Sequence, residues 1–328
     1  GGSILGTEAI YNFLEKKIKK KIYFFDNLDE ENIKKFQTKE NKSKVLFIVI
    51  SKSGNTIETL TNTFLLKILK KNAKNIIIIS ERKNNVLFKI SKQMNLFYVE
   101  HKSHVGGRYS VFSEAGMIPA YIMGLNINKL RSKILECFKK NDKVFLKKSV
   151  IELVKLLKSK KFSSLIFLNY APNLEKFLYW CQQLIAESLG KRKMGFLPMI
   201  SNVPKDHHSL LQLYLDGPKD KLFYIFSDER QTFDLFKSNL NIHNLSFLEK
   251  KTLSKIREAQ KNALKKSFIK KKIPFREFRI TKSNEQIIGK LFSYFILETV
   301  IIGKMLNINP FDQPAVEEVK ISTKKILS

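Results

Sequence analysis

The sequence predicts an α/β fold made of two units of similar size, in each of which helices cover a parallel sheet. Short, nearly continuous apolar runs alternate with helical patterns in both halves of the chain. Strands of that kind are buried on both faces, and their alternation with helices is typical of parallel sheets. The chain has 328 residues, which is enough for two core-sized units.

The first unit contains four candidate strands followed by a helical region. The strands are short runs rich in β-branched and aromatic residues: "KIYFF" (21–25), "KVLFIVI" (44–50), "NIIIIS" (75–80) and "LFYVE" (96–100). A helical stretch then extends from "SVFSEAGMIPAYIMG" to about residue 140. The polar run "KKNDKVFLKK" (139–148) marks a boundary, so we predict a first domain over residues 1–140.

The second unit repeats the alternation of strands and helices. Its candidate strands are "FSSLIFLN" (162–169), "KLFYIFS" (221–227) and "FREFRI" (275–280), and a long apolar helix is predicted over about 285–306. We therefore predict a second domain over residues 141–306 and a C-terminal helical segment over residues 307–328.

The loop after the second candidate strand carries hydroxyl groups and a lysine beside a helix start. The stretch "SKSGNTIETL" (51–60) places Ser51, Lys52, Ser53 and Thr56 there, with Thr56 as the predicted helix cap. A helix N-terminus offers unpaired N–H groups and the positive end of the helix dipole, which suits a bound anion such as phosphate. A capping loop with incidental hydroxyl groups explains this segment alone equally well.

Two glycine-containing segments are further candidates for ligand contacts. The opening "GGSILG" (1–6) supplies Gly2 and Ser3, where the backbone can approach a ligand closely. The segment "HVGGRYSVFSEAG" (104–116) places Gly107 and Arg108 just before a helix. The planar guanidinium of arginine suits phosphate or a developing oxyanion. A buried structural salt bridge is the alternative role for Arg108.

A third candidate lies near the end of the helix predicted for "WCQQLIAESLGK" (180–191). Gln183 and Glu187 are four residues apart and therefore share one face, and Gly190 with Lys191 is predicted to end the helix. A carboxylate beside an amide at such a place suits a general base. A single glutamate in a helix is more often a solvated surface residue.

Two more segments carry candidate side chains on predicted helices. In "VPKDHHSLLQLYLDGP" (203–218), His207 and His208 are adjacent, so they point in different directions and at most one of them faces a site. In "NPFDQPAVEEVK" (309–320), Gln313 and Lys320 fall on one face with a glutamate between them, although lysines there are usually solvated. Neither segment has the spacing of a metal site, and we predict no bound metal.

The formal net charge of +30 is unusual for a chain that is 43% hydrophobic and 27% charged. One explanation is a nucleic-acid or anionic-membrane partner. The lysines are, however, spread along the whole chain among many Ile, Asn and Phe residues. We therefore favour compositional drift towards A/T-rich codons, and we predict neither a nucleic-acid nor a membrane partner.

The two cysteines and the apolar segments bear on location. Cys137 and Cys181 are far apart and match no metal or redox spacing, which favours a reducing cytoplasm. The segment 291–306 is the most membrane-like, but Glu298 and Lys304 interrupt it. The sequence has no signal-peptide pattern and opens abruptly without methionine, so we expect that an N-terminal portion is missing.

Taken together, six segments resemble the bacterial branch of the phosphoglucose isomerase family in content and order. They span nearly all of the chain: "GGSILG", "SKSGNTIET", "GGRYSVFSEAG", "QLIAESLGK", "DHHSLLQLYLDGP" and "FDQPAVEEVK". The resemblance implies a pair of flavodoxin-like sugar-phosphate-isomerase (SIS) domains. It also implies a cytoplasmic homodimer that interconverts D-glucose 6-phosphate and D-fructose 6-phosphate without a metal or organic cofactor.

The resemblance assigns a role to each candidate residue. The substrate phosphate would be held by Ser51, Lys52, Ser53, Thr56 and Gln183, and Gly2 and Ser3 would line the sugar. Gly107 would also belong to the substrate-binding residues. Glu187 would move a proton between C1 and C2, and Arg108 would stabilise the enediolate. His208, supplied by the neighbouring subunit, would open the ring. Lys320 would lie near the ring oxygen, Gln313 would be the glutamine that precedes it, and the C-terminal segment would complete the site.

Three other functions compete with this interpretation. A non-catalytic sugar-phosphate sensor would not need Glu187, Arg108, His208 and Lys320 together. A nucleic-acid binder rests on the net charge alone and requires strongly salt-dependent affinity. A dual glucose/mannose phosphate isomerase is the nearest rival, and the intact "ESLGK" and "FDQPAVE" favour the glucose enzyme.

Overall fold

The computed structural model describes residues 2–230, 232–237 and 245–328, and it confirms the α/β fold with parallel sheets flanked by helices. The first sheet has three parallel strands in the order β1-β2-β3: β1 Phe47–Ile50, β2 Ile76–Ser80 and β3 Phe97–Glu100. The helices of this half are α1 Ile4–Leu14, α2 Glu30–Lys39, α3 Ile57–Leu65, α4 Val86–Gln93, α5 Glu114–Ile122 and α6 Ile127–Arg131.

The second sheet has four parallel strands in the order β5-β4-β6-β7. They are β4 Ser164–Tyr170, β5 Leu197–Asn202, β6 Lys221–Asp228 and β7 Phe275–Ile280. The helices of this half are α7 Lys140–Ser159, α8 Glu175–Leu189, α9 His207–Asp216, α10 Leu253–Lys270, α11 Glu285–Met305 and α12 Pro314–Leu327.

Helix α1 packs into the core of the second half of the chain. Its residues Ala9, Ile10 and Phe13 are buried in the cluster that also contains Leu178 and Phe292, from α8 and α11. This packing brings the N-terminal end of α1 beside α8, which carries Gln183 and Glu187. The domain boundary at residue 140 stays a prediction.

One predicted strand is absent from the structure, and one observed strand was not predicted. The segment 21–25 is extended but forms no strand. Ile22 and Phe24 contact the larger core while Tyr23 and Phe25 contact the core of the first sheet, so the alternating pattern is real although the pairing is not. Strand β5 is not among the predicted strands; it contains Pro198, which is tolerated because β5 lies at the edge of its sheet.

Among the described residues, α11 is one helix that is long and apolar enough to cross a membrane by length and composition alone. Within its most apolar window, 61% is buried against the rest of the chain. Glu298 in this helix forms a bidentate ion pair with Arg276 of β7, with both N–O distances at 2.6 Å. Such burial is what a core helix shows, and the absence of a membrane partner stays a prediction.

Candidate active site

The last two turns of α8 present Gln183 and Glu187 on one face, as their spacing predicts. Gln183 Nε2 donates to Glu187 Oε1 at 3.0 Å, and the Glu187 side chain is 31% exposed. Gly190 then caps the helix. The carboxylate is therefore held in place from one side while part of it stays open to solvent, which a group that exchanges protons with a ligand requires.

Arg108 is almost completely buried beside this carboxylate, with its side chain only 2% exposed. Its Nη1 donates to Glu187 Oε2 at 3.0 Å and to Gln313 Oε1 at 2.6 Å. Its Nε donates to Ser188 Oγ at 2.8 Å, and its Nη2 donates to two backbone carbonyl oxygens of the segment 310–312. These bonds engage all five N–H groups of the guanidinium.

Because all five N–H donors of Arg108 are already hydrogen-bonded, a ligand can bind the guanidinium only by replacing an existing acceptor. A new oxyanion reaches the guanidinium only if one existing acceptor withdraws. The carbonyl acceptors are part of the backbone and Ser188 is fully buried. The side chains of Gln313 and Glu187, which share Nη1, are therefore the acceptors that can give way.

The glycine segments approach this cluster closely. A Cβ atom on Gly2 would lie 2.3 Å from Gln183 Nε2, so a larger residue there would require the Gln183 amide to move. A Cβ atom on Gly107 would lie 3.2 Å from Ser3 Oγ. The start of α1 and the turn before Arg108 thus meet at the end of α8.

Three residues of this cluster were not predicted to belong to it. Ser188 accepts from Arg108, and the Tyr109 hydroxyl bonds to Ser188 Oγ at 2.8 Å and donates to the Pro310 carbonyl at 2.9 Å. Burial raises the pKa of Tyr109, so its hydroxyl stays protonated as a donor. The third is Lys191, which donates to Asn309 and Asp312.

The predicted anion-binding loop lies between β1 and α3. Ser51 and Thr56 join through their hydroxyl groups at 2.7 Å, and Thr56 occupies the cap position of α3 without bonding to its N–H groups. Ser53 is exposed, and Lys52 Nζ lies 3.6 Å from Glu81 Oε1. No hydrogen bond or ion pair joins this loop to the Arg108 cluster in the part of the chain that the structure describes.

The remaining predicted residues lie apart from the cluster. His208 is exposed and has no hydrogen bond from its side chain within the described residues, whereas His207 Nε2 contacts the Tyr170 hydroxyl at 2.9 Å. Burial, together with the charge of His208, lowers the pKa of His207. Lys320 is 52% exposed and pairs with Glu317 on α12 at 2.6 Å.

Metal ligands do not cluster in residues 2–230, 232–237 and 245–328, where no three His, Cys, Asp or Glu side chains are placed to hold one ion. The prediction that the protein needs no metal or organic cofactor remains a prediction.

Comparison with known proteins identifies the family. The profile described as phosphoglucose isomerase matches residues 1–203. A glucose-6-phosphate isomerase of Methanocaldococcus jannaschii is 33% identical over 98% of this chain and 80% of its own length. The chain belongs to the phosphoglucose isomerase family. The resemblance seen in the sequence motifs is confirmed, and with it the prediction that the chain is an enzyme of this family.

Two solved structures share the fold of this chain over its whole length. A hypothetical protein from Thermus thermophilus aligns with a TM-score of 0.88 at 26% identity, over 100% of this chain and 82% of its own. A glucose-6-phosphate isomerase from Chlamydia trachomatis aligns with a TM-score of 0.81 at 18% identity, over 100% of this chain and 68% of its own. At 18% identity, that second likeness concerns the fold.

Proposed function

We propose that the protein interconverts D-glucose 6-phosphate and D-fructose 6-phosphate. Family membership and relatives named glucose-6-phosphate isomerase support this substrate pair. The observation that carries the proposal is the partly open Glu187 carboxylate, held between Gln183 and Arg108 where the glycine segments meet. An aldose–ketose conversion needs a base next to C1 and C2 and a positive group where charge develops on oxygen.

In the proposed mechanism, Glu187 removes a proton at C2 or C1 and returns it to the neighbouring carbon through a cis-enediol(ate). Arg108 stabilises the oxyanion once the Gln313 amide has withdrawn from Nη1. Both groups sit on backbone fixed by α8 and by the turn at Gly107, so little reorganisation is needed when charge develops. The sugar would lie against Gly2 and Ser3, as the family resemblance implies.

The phosphate would be held by the loop of Ser51, Lys52, Ser53 and Thr56. Its hydroxyl groups and its helix N-terminus suit a phosphate dianion. Anchoring the phosphate would keep C1 and C2 within reach of Glu187. The binding energy of the phosphate would thus be used to orient the reacting carbons. His208 would open the sugar ring with Lys320 near the ring oxygen.

A coupled assay tests the proposal. We expect the protein to convert fructose 6-phosphate into glucose 6-phosphate, followed as NADPH formation by glucose-6-phosphate dehydrogenase, and to be inert without sugar phosphate. A sensor would bind the same compound without turnover. Mannose 6-phosphate serves as the second substrate in the same assay, and equal rates on both would favour the dual enzyme.

We also propose a cytoplasmic homodimer whose site is shared between subunits. The support is that the His208 side chain is exposed and unbonded in the described part of one chain, although the family resemblance makes it catalytic. A partner subunit that buries the start of α9 would resolve this. The unpaired, buried Cys137 and Cys181 support the cytoplasmic location.

Mixing two inactive variants should restore activity if His208 acts across the interface. A dimer of a His208→Ala chain with a Glu187→Gln chain contains one site with both native residues. With random exchange, about a quarter of the parental activity should return, since half of the dimers are mixed and each has one intact site. Mass spectrometry of isotope-labelled chains confirms exchange. Mixed dimers as inactive as the two parents would mean that His208 does not act in trans.

A further inference from the structure

We propose that Lys191 is a positioning residue that fixes the segment 309–313, and with it the Gln313 side chain on Arg108. This inference rests in part on the proposed function, because it concerns the same site. Lys191 follows Gly190 directly and comes four residues after Glu187, so it leaves the same helix end as the proposed base.

The ammonium group of Lys191 is engaged entirely by this segment. Its Nζ donates to the Asn309 carbonyl at 2.5 Å, to the Asp312 carbonyl at 2.6 Å and to Asp312 Oδ1 at 2.7 Å. The Lys191 side chain is only 14% exposed. An ammonium group has three N–H donors, so none is left for a substrate phosphate. The geometry therefore favours positioning over ligand binding.

Other contacts from the site reach the middle of the segment, including the Tyr109 ring, whose centre lies 5.4 Å from that of Phe311. Arg108 donates to the Pro310 and Asp312 carbonyls, and Tyr109 donates to Pro310. Helix α12, which follows, has no buried residue. Lys191 supplies the contacts to both ends of the turn 309–312, and this turn places Gln313 at its 2.6 Å distance from Arg108 Nη1.

Lys191 and Gln313 therefore have different roles around Arg108. Lys191 holds the backbone of the segment still, while the Gln313 side chain alone withdraws when an oxyanion arrives. Without Lys191 the whole turn would shift, and Arg108 would lose its Nη2 acceptors as well as Gln313. The guanidinium would then no longer be fixed at the position where the oxyanion develops.

The test compares Lys191→Met, Lys191→Arg and Lys193→Met. Lys193 lies in the same loop, is exposed and has no ion pair or hydrogen bond from its side chain among the described residues, so its loss controls for charge. We expect Lys191→Met to lower kcat about 10- to 100-fold. KM should change by less than about threefold, because the phosphate loop is untouched. Lys191→Arg should recover part of kcat, since it keeps the positive charge and can still donate to some of these acceptors, and Lys193→Met should match the parent.

Hydrogen exchange of the C-terminal segment supplies a readout that needs no catalysis. Amides of residues 309–328 should exchange faster in Lys191→Met than in the parent, with no change in Lys193→Met. If the parent shows no isomerase activity, the proposed function fails while the exchange result still decides the role of Lys191. Parental exchange with parental kcat in Lys191→Met would overturn the inference. So would a raised KM at constant kcat in Lys191→Met.

Discussion

Replacing Glu187 with glutamine should lower turnover of fructose 6-phosphate about 10²–10⁴-fold, which is the usual contribution of a general base. The new amide keeps the size of the side chain but cannot accept a proton from carbon. Its oxygen can still accept from Arg108. Its NH2 group can donate to Gln183 Oε1 after the Gln183 amide flips, and that oxygen is buried without a partner in the described structure. The fold should therefore survive.

Proton exchange separates catalysis from binding in this variant. Exchange of the C2 hydrogen of glucose 6-phosphate with solvent deuterium, followed by NMR, should fall in parallel with turnover. The affinity for a sugar-phosphate inhibitor should stay within a few-fold. Glu175→Gln is the matched control, because the same change is made at the other end of α8, where the Glu175 carboxylate accepts from Asn202. Exchange at the parental rate in Glu187→Gln would place the base elsewhere.

The second large effect is expected on stability, at the ion pair between Arg276 and Glu298. The two side chains are 15% and 3% exposed, and the guanidinium lies 3.7 Å from the centre of the Tyr224 ring. Burial acts to lower the pKa of Arg276, yet the Glu298 carboxylate outweighs burial, and the pKa lies above its ordinary value. Arg276→Met leaves that carboxylate buried without its ionic partner and with the Tyr294 hydroxyl as its remaining donor, which should lower the free energy of unfolding by about 3–5 kcal/mol.

Two further variants identify the cause of that loss in urea-induced unfolding. Arg279→Met removes an arginine from the same strand, but its side chain is 61% exposed, so the loss should stay below about 1 kcal/mol. The double variant Arg276→Met, Glu298→Leu should recover most of the stability, because an apolar pair replaces the buried ions. A double variant no more stable than Arg276→Met would show that packing, and not the orphaned charge, controls stability here.

Local sequence patterns predict most of the strands and helices. The elements that they do not predict depend on contacts between residues far apart in the chain. The Ile-rich run of β2 is apolar on both faces, so it reads as a buried strand without knowledge of its neighbours. Whether the extended segment 21–25 pairs depends on what lies beside it, which no local pattern records. Strand β5 was hidden for the same reason, since Pro198 is compatible with a strand only at a sheet edge.

The candidate site likewise has a part that local spacing predicts and a part that only long-range contacts determine. The spacing of Gln183 and Glu187 predicts their shared face, because helix geometry fixes it over four residues. The partners of Arg108 lie 80 and 205 residues away in the chain, at Ser188 and Gln313. Only the folded tertiary structure brings these residues together. Lys191 looked like a residue that merely ends α8, and no signal in its own segment indicated which backbone it would hold.

In the predicted anion-binding loop, the Glu81 carboxylate already pairs with Lys52 and therefore opposes an incoming anion at this ammonium group. Glu81 is about nine-tenths buried and also holds Lys83 at 2.8 Å, so it is fixed close to the Lys52 ammonium group in the free protein. At 3.6 Å this contact leaves the N–H donors of Lys52 free, so an incoming anion need not displace the carboxylate but must approach Lys52 against the repulsion of its charge. Chloride, with a single diffuse charge and no directional oxygens, gains little by doing so. A phosphate dianion brings two charges and several acceptors, and it also engages the hydroxyl groups and the helix end. The loop should therefore discriminate among cellular anions by valence, and it should remain largely unoccupied at ordinary salt concentrations until a phosphorylated compound arrives.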